Sequence, residues 1–463
     1  MQKKEMPQIS IGAALGILGS SIGAVLLGMR LKVGMLFPMV LGIVVASIGA
    51  LFRGMTWDKI QEAMVRGVQE AVPAIVIMLL VGMTIGLWIA SGTVPTLIWY
   101  GLKWMSPAML LPLSCLVAAI ASTATGTSFG TIGTVGLALM GIGEAVGVPR
   151  AMMAGAIVSG AYFGDKMSPL SDTTNVAPAV AGTTVFEHIG SMVYTTAPAM
   201  ILTLGGYYVL GRSFATGIHN LAGVEIISDA LLDAFKIGIL TLVPAALLIA
   251  LSIRKVPAIP GLAIGIAAAA ITAVVAQGMN LQKLARIAVE GYVGNTGNQV
   301  LDKLISRGGL NSMLSTCALI LTATALGGIL RETGAPRRLV EALFHRFYSD
   351  FWLVVSTIVS CYVVLLASGN QMLGIIIPGQ MFKDLFAYRG LHPKVLSRTL
   401  EDAGTLGAPL VPWSTASLFI GATLGVGAIE YAPYAILNWI TPIIAGLYAA
   451  FGVFIFRSST NEN

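Results

Sequence analysis

Long apolar runs dominate the chain, and ten of them are close to the length that crosses a bilayer. A hydrocarbon core of roughly 30 Å requires about 20 mostly apolar residues in a helix. The runs predict membrane-spanning helices at Ile9–Gly28, Val33–Phe52, Ala71–Ser91, Pro107–Ala121, Tyr194–Gly211, Ile237–Ile253, Ala258–Val275, Leu314–Leu330, Phe351–Ala367 and Ile436–Phe456. No small-residue cleavage site clearly follows the first run, so we expect a retained helix and not a signal peptide.

Two regions interrupt this pattern. From Thr125 to Gly182 and from Ser368 to Gly425 the chain stays apolar but is cut repeatedly by Gly, Pro and polar residues. Backbone groups freed by such breaks must find partners in protein or water, because lipid offers none. We therefore predict an all-α polytopic membrane protein with discontinuous helices and re-entrant hairpins that line an aqueous pocket.

Composition supports this class. Hydrophobic residues make up 56% of the chain and charged residues 10%, against about 25% in soluble proteins. The net charge is +6 and the pI near 9.2, which fits basic loops at an anionic membrane surface better than nucleic-acid binding. The expected surroundings are therefore membrane lipid.

Cys115, Cys317 and Cys361 lie singly in apolar runs, which indicates neither a disulfide framework nor a metal site.

The two interrupted regions correspond to each other at a shift of 243 positions. The pairs that coincide are Gly126 and Gly369, Gly136 and Gly379, Gly147 and Gly390, Gly164 and Gly407, Pro169 and Pro412, Ser171 and Ser414, Ala179 and Ala422, and Gly182 and Gly425. This common register predicts an internal duplication. Paired interrupted segments in two halves are typical of a transporter binding site.

Loop charges predict that the two halves are inverted. The span ending near Leu330 is followed by Arg331, Arg337, Arg338 and Arg346, whereas only Lys103 follows the corresponding span. Basic loops stay cytoplasmic, which places the two connections on opposite faces, although the basic loop ahead of Leu314 weakens this contrast.

The predicted organisation is an amino-terminal helix (1–28), a first repeat (29–211), a connecting segment and helix (212–255), a second repeat (256–457) and a tail (458–463).

A polar segment lies inside the first interrupted region. Residues 164–175 read Gly-Asp-Lys-Met-Ser-Pro-Leu-Ser-Asp-Thr-Thr-Asn, and such residues persist at membrane depth only where they face a cavity or one another. Na⁺ is a small, hard ion suited to oxygen ligands, and a break at Pro169 would free backbone carbonyls beside them. The predicted cation ligands are Asp165, Ser168, Ser171, Asp172, Thr173, Thr174 and Asn175.

The two carboxylates of this segment leave alternatives open. Asp172 has hydroxyls on both sides and is the expected central ligand, but Ser-Asp-Thr-Thr is also good helix-capping sequence. Asp165 is either a direct ligand and proton-coupling group or a partner of Lys166 at a helix end. Glu187 and His188 follow the site. Without a second histidine nearby, they favour an interfacial loop over a proton relay.

The second half offers different side chains. Asn370 and Gln371 occupy the positions of Thr127 and Ser128, and Ser414 and Thr415 follow the second break. These six residues are the expected hairpin and substrate pocket.

Glu401 and Asp402 precede the second break and are further proton-coupling candidates, since a carboxylate in a low-dielectric site can titrate near neutrality. The alternative is that they pair with Arg398 or Lys394 one turn back.

The segment at 164–175, with Thr-Gly-Thr-Ser-Phe-Gly-Thr at 125–131 and Ala-Pro at 177–178, resembles the signature of the NhaC-type Na⁺/H⁺ antiporters. This resemblance implies a prokaryotic inner-membrane antiporter with two inverted repeats that exports Na⁺ in exchange for protons, with no cofactor. The family also includes malate/lactate-sodium exchangers, so a small organic anion remains a second kind of substrate. A homodimer is left open.

Three functions are therefore compared. A Na⁺/H⁺ antiporter fits the oxygen-rich, arginine-free polar core, and a Na⁺- or H⁺-coupled carrier of organic anions or amino acids is the alternative. A membrane-embedded enzyme is disfavoured, because the sequence shows neither a His/Asp/Glu metal cluster nor a nucleophile elbow with a His partner.

Overall fold

The computed structural model describes residues 9–31, 35–104, 107–215, 221–254, 256–343 and 349–458. Within these ranges the chain is helical, with a single isolated antiparallel bridge between Leu391 and Arg457 and no longer strand. The expected tail at 458–463 lies, apart from Ser458, outside the described residues.

The described ranges contain twenty-three α-helices. They are α1 (Ile11–Arg30), α2 (Leu36–Phe52), α3 (Trp57–Ala90), α4 (Thr93–Trp104), α5 (Pro107–Thr125), α6 (Ser128–Thr131), α7 (Leu137–Val146), α8 (Arg150–Met167), α9 (Asp172–Ala181), α10 (Val185–Ala215), α11 (Leu221–Ala234), α12 (Val243–Ile253), α13 (Ala258–Gln277), α14 (Leu281–Glu290), α15 (Gln299–Ile305), α16 (Leu314–Glu332), α17 (Ala335–Leu343), α18 (Asp350–Ser368), α19 (Gln371–Tyr388), α20 (Pro393–Leu400), α21 (Thr415–Leu424), α22 (Ala428–Tyr431) and α23 (Ile436–Phe451). Two π-helical segments, Ile132–Gly136 and Glu401–Thr405, and four 3₁₀ turns, Ile239–Leu242, Leu310–Met313, Ala408–Leu410 and Ala432–Tyr434, join some of them.

Six helices in the described part are long and apolar enough to cross a membrane, or eight spans if two sharply bent helix pairs are each counted as one. The chain is therefore a multi-pass membrane protein. All ten predicted spans coincide with helices, with different ends. The largest differences are that α3 begins at Trp57 and that α10 begins at Val185. Helix α23 ends earlier than predicted, at Phe451, where Gly452 is left-handed.

The first interrupted region folds as α5, a turn, α6 to α7, α8, a break at 168–171 and α9. Gly126 makes the turn after α5 with φ +70°, a conformation that L side chains rarely adopt. A Cβ on Gly126 would lie 2.6 Å from the Leu170 Cβ. This turn therefore packs directly on the break.

The second interrupted region repeats this construction at the predicted shift. Gly369 has φ +63° after α18, and a Cβ there would lie 3.0 Å from the carbonyl oxygen of Trp413. Leu170 and Trp413 are also 243 positions apart. The two halves thus share helix order and the contact between turn and break.

The halves interlock around their short helices. Helix α9 of the first half packs on α19 and α20 of the second, and α21 of the second half packs on α6 and the Ile132–Gly136 segment of the first. Phe129 and Phe419 stack across this junction with ring centroids 4.6 Å apart. The two breaks are therefore brought into the interior between the halves.

Candidate functional site

Asp165 is the carboxylate that the first half encloses most fully. It lies in the last turn of α8 with 6% of its surface exposed. The Ser128 hydroxyl donates to its Oδ2 at 2.7 Å from the start of α6, and the Ser171 side chain of the break lies beside the same carboxylate. Three segments of the first half thus meet at one acidic group.

The break at 168–171 is held together by its own polar side chains. The Thr174 hydroxyl donates to the carbonyls of Asp165 and Lys166 at 3.2 and 2.9 Å, and the Asn175 amide donates to those of Pro169 and Ser171 at 2.9 and 2.7 Å. The carbonyls that the break frees from helical bonding thus accept from side chains of α9, and their role as cation ligands stays a prediction.

Other predicted ligands line the inside of the break. Ser168 and Thr173 are buried, and the Thr173 and Ser171 hydroxyls are 3.1 Å apart. The break thus carries several buried hydroxyl oxygens, the ligand type that suits a hard cation.

Asp172 lies elsewhere on the same segment. It is the first residue of α9, and its side chain is exposed. A carboxylate at this position is favoured by the partial positive charge of the helix N-terminus. The central role predicted for Asp172 stays a prediction, while the enclosed position belongs to Asp165.

Lys166 and Asp402 form an ion pair between the two halves, with both side chains fully buried. The Thr195 hydroxyl of α10 also donates to Asp402 Oδ1, at 3.1 Å. This geometry corrects two alternatives. Lys166 turns away from Asp165, and Asp402 pairs neither with Arg398 nor with Lys394.

The two basic residues of α20 have other partners. The Arg398 guanidinium donates to the Phe454 carbonyl at 3.2 Å, and the Lys394 ammonium lies 4.0 Å from the centre of the Phe456 ring. Both residues thus hold the carboxyl-terminal segment that returns after α23.

Glu401 lies next to the ion pair and is completely buried. Its electrostatic neighbours include Lys166 and Asp165, with the Thr405 and Thr173 hydroxyls close by. Neither carboxylate oxygen has a hydrogen-bond partner of good geometry among the described residues. The three predicted proton-coupling groups, Asp165, Glu401 and Asp402, therefore occupy one buried region.

The second hairpin uses its polar residues differently. Asn370 Oδ1 accepts from the backbone of Met372 at 2.9 Å, and its amide lies 3.5 Å from Glu70, which pairs with Arg331 at 2.6 Å. Gln371 beside it is half-buried. This tip docks on charges of α3 and α16.

Ser414 and Thr415 stabilise the second break. Ser414 caps α21 and donates to the Ala408 carbonyl at 2.6 Å, and the Thr415 backbone donates to Gly369 at 2.9 Å. In contrast to Ser128, neither residue makes a described contact with a buried carboxylate.

A search of the described ranges finds no cluster of three His, Cys, Asp or Glu side chains placed to hold a metal ion. A cation held near Asp165 would consequently depend on one carboxylate and several hydroxyls. Such a ligand set suits a weakly bound, transported ion better than a structural metal.

Comparison with known proteins identifies the family. A model of the Na⁺/H⁺ antiporter family matches residues 2–161 and 160–453. The chain belongs to this family. It is 37% identical to the Na⁺/H⁺ antiporter NhaC of Alkalihalophilus pseudofirmus over 100% of this chain and 99% of the relative.

Two relatives from Bacillus subtilis are named for different transport activities. The Na⁺/H⁺ antiporter NhaC is 38% identical over 88% of this chain and 90% of its own. The malate-2H⁺/Na⁺-lactate antiporter is 34% identical over 90% and 89%.

Sequence reasoning misplaced two groups in this antiporter. His188 is fully buried in α10, with Nδ1 2.9 Å from the Ser397 hydroxyl, so its assignment to an interfacial loop is wrong. Lys166 was considered only beside Asp165. Their signal in the sequence is weak, because a polar residue in an apolar helix reveals that it has a partner without showing which one.

Proposed function

We propose that this chain exports Na⁺ in exchange for protons across the prokaryotic cell membrane, with Asp165 as the cation-binding carboxylate. The observation that carries the proposal is the enclosure of Asp165 by the Ser128 and Ser171 hydroxyls. The hairpin tip and the helix break hold these oxygens on one side of the interface between the halves. Asp172, exposed at the start of α9, is proposed to attract the cation at the entrance.

The proton is proposed to bind at Glu401 and Asp402. Both carboxylates are buried, and three of their four oxygens have no good hydrogen-bond partner in the described structure. A cation at Asp165 and a proton at these groups repel each other strongly in a low-dielectric interior. Either Na⁺ or the proton therefore occupies the region at a time. This exclusion couples the export of Na⁺ to the entry of the proton.

Alternating access is proposed to come from two inverted repeats, 29–211 and 256–457. The supporting observations are the common register of the two interrupted regions and the reciprocal packing of α9 and α21 on the opposite half. A relative movement of the two halves would open the Asp165 region to one membrane face and then to the other.

The arginines nearest the breaks favour an ion over an organic anion. Arg150 pairs with Glu144 at 2.9 Å, Arg331 pairs with Glu70, and Arg398 donates to a backbone carbonyl. Each guanidinium is thus engaged with protein, whereas carboxylate recognition commonly uses a bidentate arginine. Exchange of malate or lactate stays the second candidate because of the relative with that activity.

Proteoliposomes containing the purified protein test both functions. With a preset proton gradient and a pH dye inside, NaCl alone should collapse the gradient, and vesicles containing an Asp165→Asn variant should hold it. Malate, lactate and amino acids are added in parallel. Collapse that requires one of these organic solutes would replace the proposed function by the second candidate.

A further inference from the structure

The buried His188 ring has one engaged and one free nitrogen. The Ser397 hydroxyl lies 2.9 Å from His188 Nδ1 and 3.1 Å from the Lys394 carbonyl. In the tautomer with the proton on Nδ1, Ser397 accepts from Nδ1–H and donates its single proton to that carbonyl. Nε2 is then the unprotonated nitrogen. It is buried without a hydrogen-bond partner in the described part of the chain, which makes it a base inside the protein.

The same face of α10 leads from this ring to the ion pair. Ser191 follows His188 by three residues and Thr195 by seven, so all three lie on one side of the helix, over about 10 Å. The Ser191 hydroxyl is also buried without a described partner, and Thr195 donates to Asp402 Oδ1. Beyond Thr195, Asp402 Oδ2 is a buried acceptor without a hydrogen-bond partner among the described residues.

The row of side chains His188, Ser191 and Thr195 begins near the exposed amino-terminal end of α10. Glu187 is exposed in the first turn of α10, and His392 Nε2 is 3.8 Å from its carboxylate. Glu187 immediately precedes His188, so the exposed start of α10 and the buried ring are adjacent in the chain. The unused atoms of His188, Ser191 and Asp402 are of the kind that buried waters satisfy.

We propose that His188 relays protons between the surface at Glu187 and the Asp402 carboxylate. A proton from a surface-side water adds to Nε2 and forms imidazolium. Nε2 then releases the proton to a water beside Ser191, and it arrives on Asp402 Oδ2, so the imidazole returns to its neutral form. Nδ1–H stays bonded to Ser397 and fixes the ring.

This inference rests on the proposed function, because it supplies the proton path of the same exchange. The charged and titratable groups on the elements around this path include Asp165, Lys166, Glu187, His392, Lys394, Arg398, Glu401 and Asp402. The competing explanation is structural: the His188–Ser397 bond would do no more than join α10 to α20. The two explanations differ in which transport mode depends on His188.

Two assays on one proteoliposome preparation separate them. Na⁺/H⁺ exchange is followed with an internal pH dye. Na⁺/Na⁺ exchange is followed as radioactive sodium uptake into Na⁺-loaded vesicles at equal pH, and this mode needs no proton transfer. His188→Asn keeps an amide donor toward Ser397 and removes the Nε2 base, and His188→Gln is a second variant without the base. Ser397→Ala is the matched control, because it keeps the base and removes the hydrogen bond.

We expect His188→Asn to slow Na⁺/H⁺ exchange by about tenfold or more, with Na⁺/Na⁺ exchange within about twofold of wild type. Ser397→Ala keeps the Nε2 base, so its loss of Na⁺/H⁺ exchange should be smaller than that of His188→Asn. Wild-type Na⁺/H⁺ exchange in His188→Asn, or equal losses of both modes in the Asn and Gln variants, would overturn the relay. Wild-type protein that exchanges Na⁺ for Na⁺ but never for protons would instead show that the proposed function itself is wrong, and the relay with it.

Discussion

Lys166 and Asp402 are 236 positions apart in the chain and form a fully enclosed ion pair between the last turn of α8 and the Glu401–Thr405 segment. Removing one member of such a pair leaves an unpaired charge in a low-dielectric interior. The pair therefore holds the two halves together at the level of the Asp165 site, and any movement of one half against the other acts on it.

Asp402→Asn should lower the free energy of unfolding by about 3–5 kcal/mol, because it leaves the Lys166 ammonium buried alone. Thermal unfolding of the purified protein in detergent measures the change. Glu332→Gln is the matched control, since its pair with Arg66 is 2.9 Å long but 37–48% exposed, and its loss should cost under about 1 kcal/mol.

The double variant Lys166→Met/Asp402→Leu completes this comparison. It should be more stable than Asp402→Asn, because no buried charge is left unpaired. A single variant as stable as the wild type would show that Lys166 is not charged in the folded protein.

Asp165→Asn should abolish Na⁺-dependent proton movement, and Asp172→Asn should mainly raise the Na⁺ concentration needed for half-maximal rate. The reason is position: Asp165 is enclosed by hydroxyls, and Asp172 is exposed on the first turn of α9. Rates over a range of Na⁺ concentrations in proteoliposomes distinguish the two effects. The reverse pattern would restore Asp172 as the central ligand.

Gly126→Ala should destabilise the protein and weaken Na⁺ affinity, whereas Gly147→Ala should affect stability alone. Both glycines are left-handed, which costs an alanine about 1–2 kcal/mol. Only at Gly126 would the added Cβ meet the break, 2.6 Å from Leu170, while Gly147 faces open space. Unfolding midpoints and Na⁺ titrations are the measurements. Equal behaviour of the two variants would mean that the turn and the break are not coupled.

Thr127→Cys and Asn370→Cys should react with impermeant thiol reagents from opposite membrane faces if the repeats are inverted. The background lacks Cys115, Cys317 and Cys361, which are all buried, and oriented vesicles carry each single-cysteine protein. Saturating Na⁺ should slow labelling at 127, next to the proposed site. Labelling of both positions from the same side would favour parallel halves.

The sequence by itself determined the class of protein, the predicted spans and the two interrupted regions. Hydrophobic runs, glycine turns and proline breaks act through the local backbone, so their effects are readable without a partner. The correspondence of Gly126 with Gly369 also survives in three dimensions, because both positions require a left-handed turn against a break. The polar segment at 164–175 was recognisable for the same reason, since oxygen-rich side chains in an apolar chain need a shared environment.

Tertiary structure alone decided which of these groups meet. It buried Asp165 rather than Asp172, turned Lys166 toward Asp402 instead of its neighbour in sequence, and placed His188 against Ser397 on another helix. The physical reason is that a buried polar group must find its partner wherever packing brings one. That partner is fixed by the way α8, α10 and α20 cross, which no spacing along the chain records.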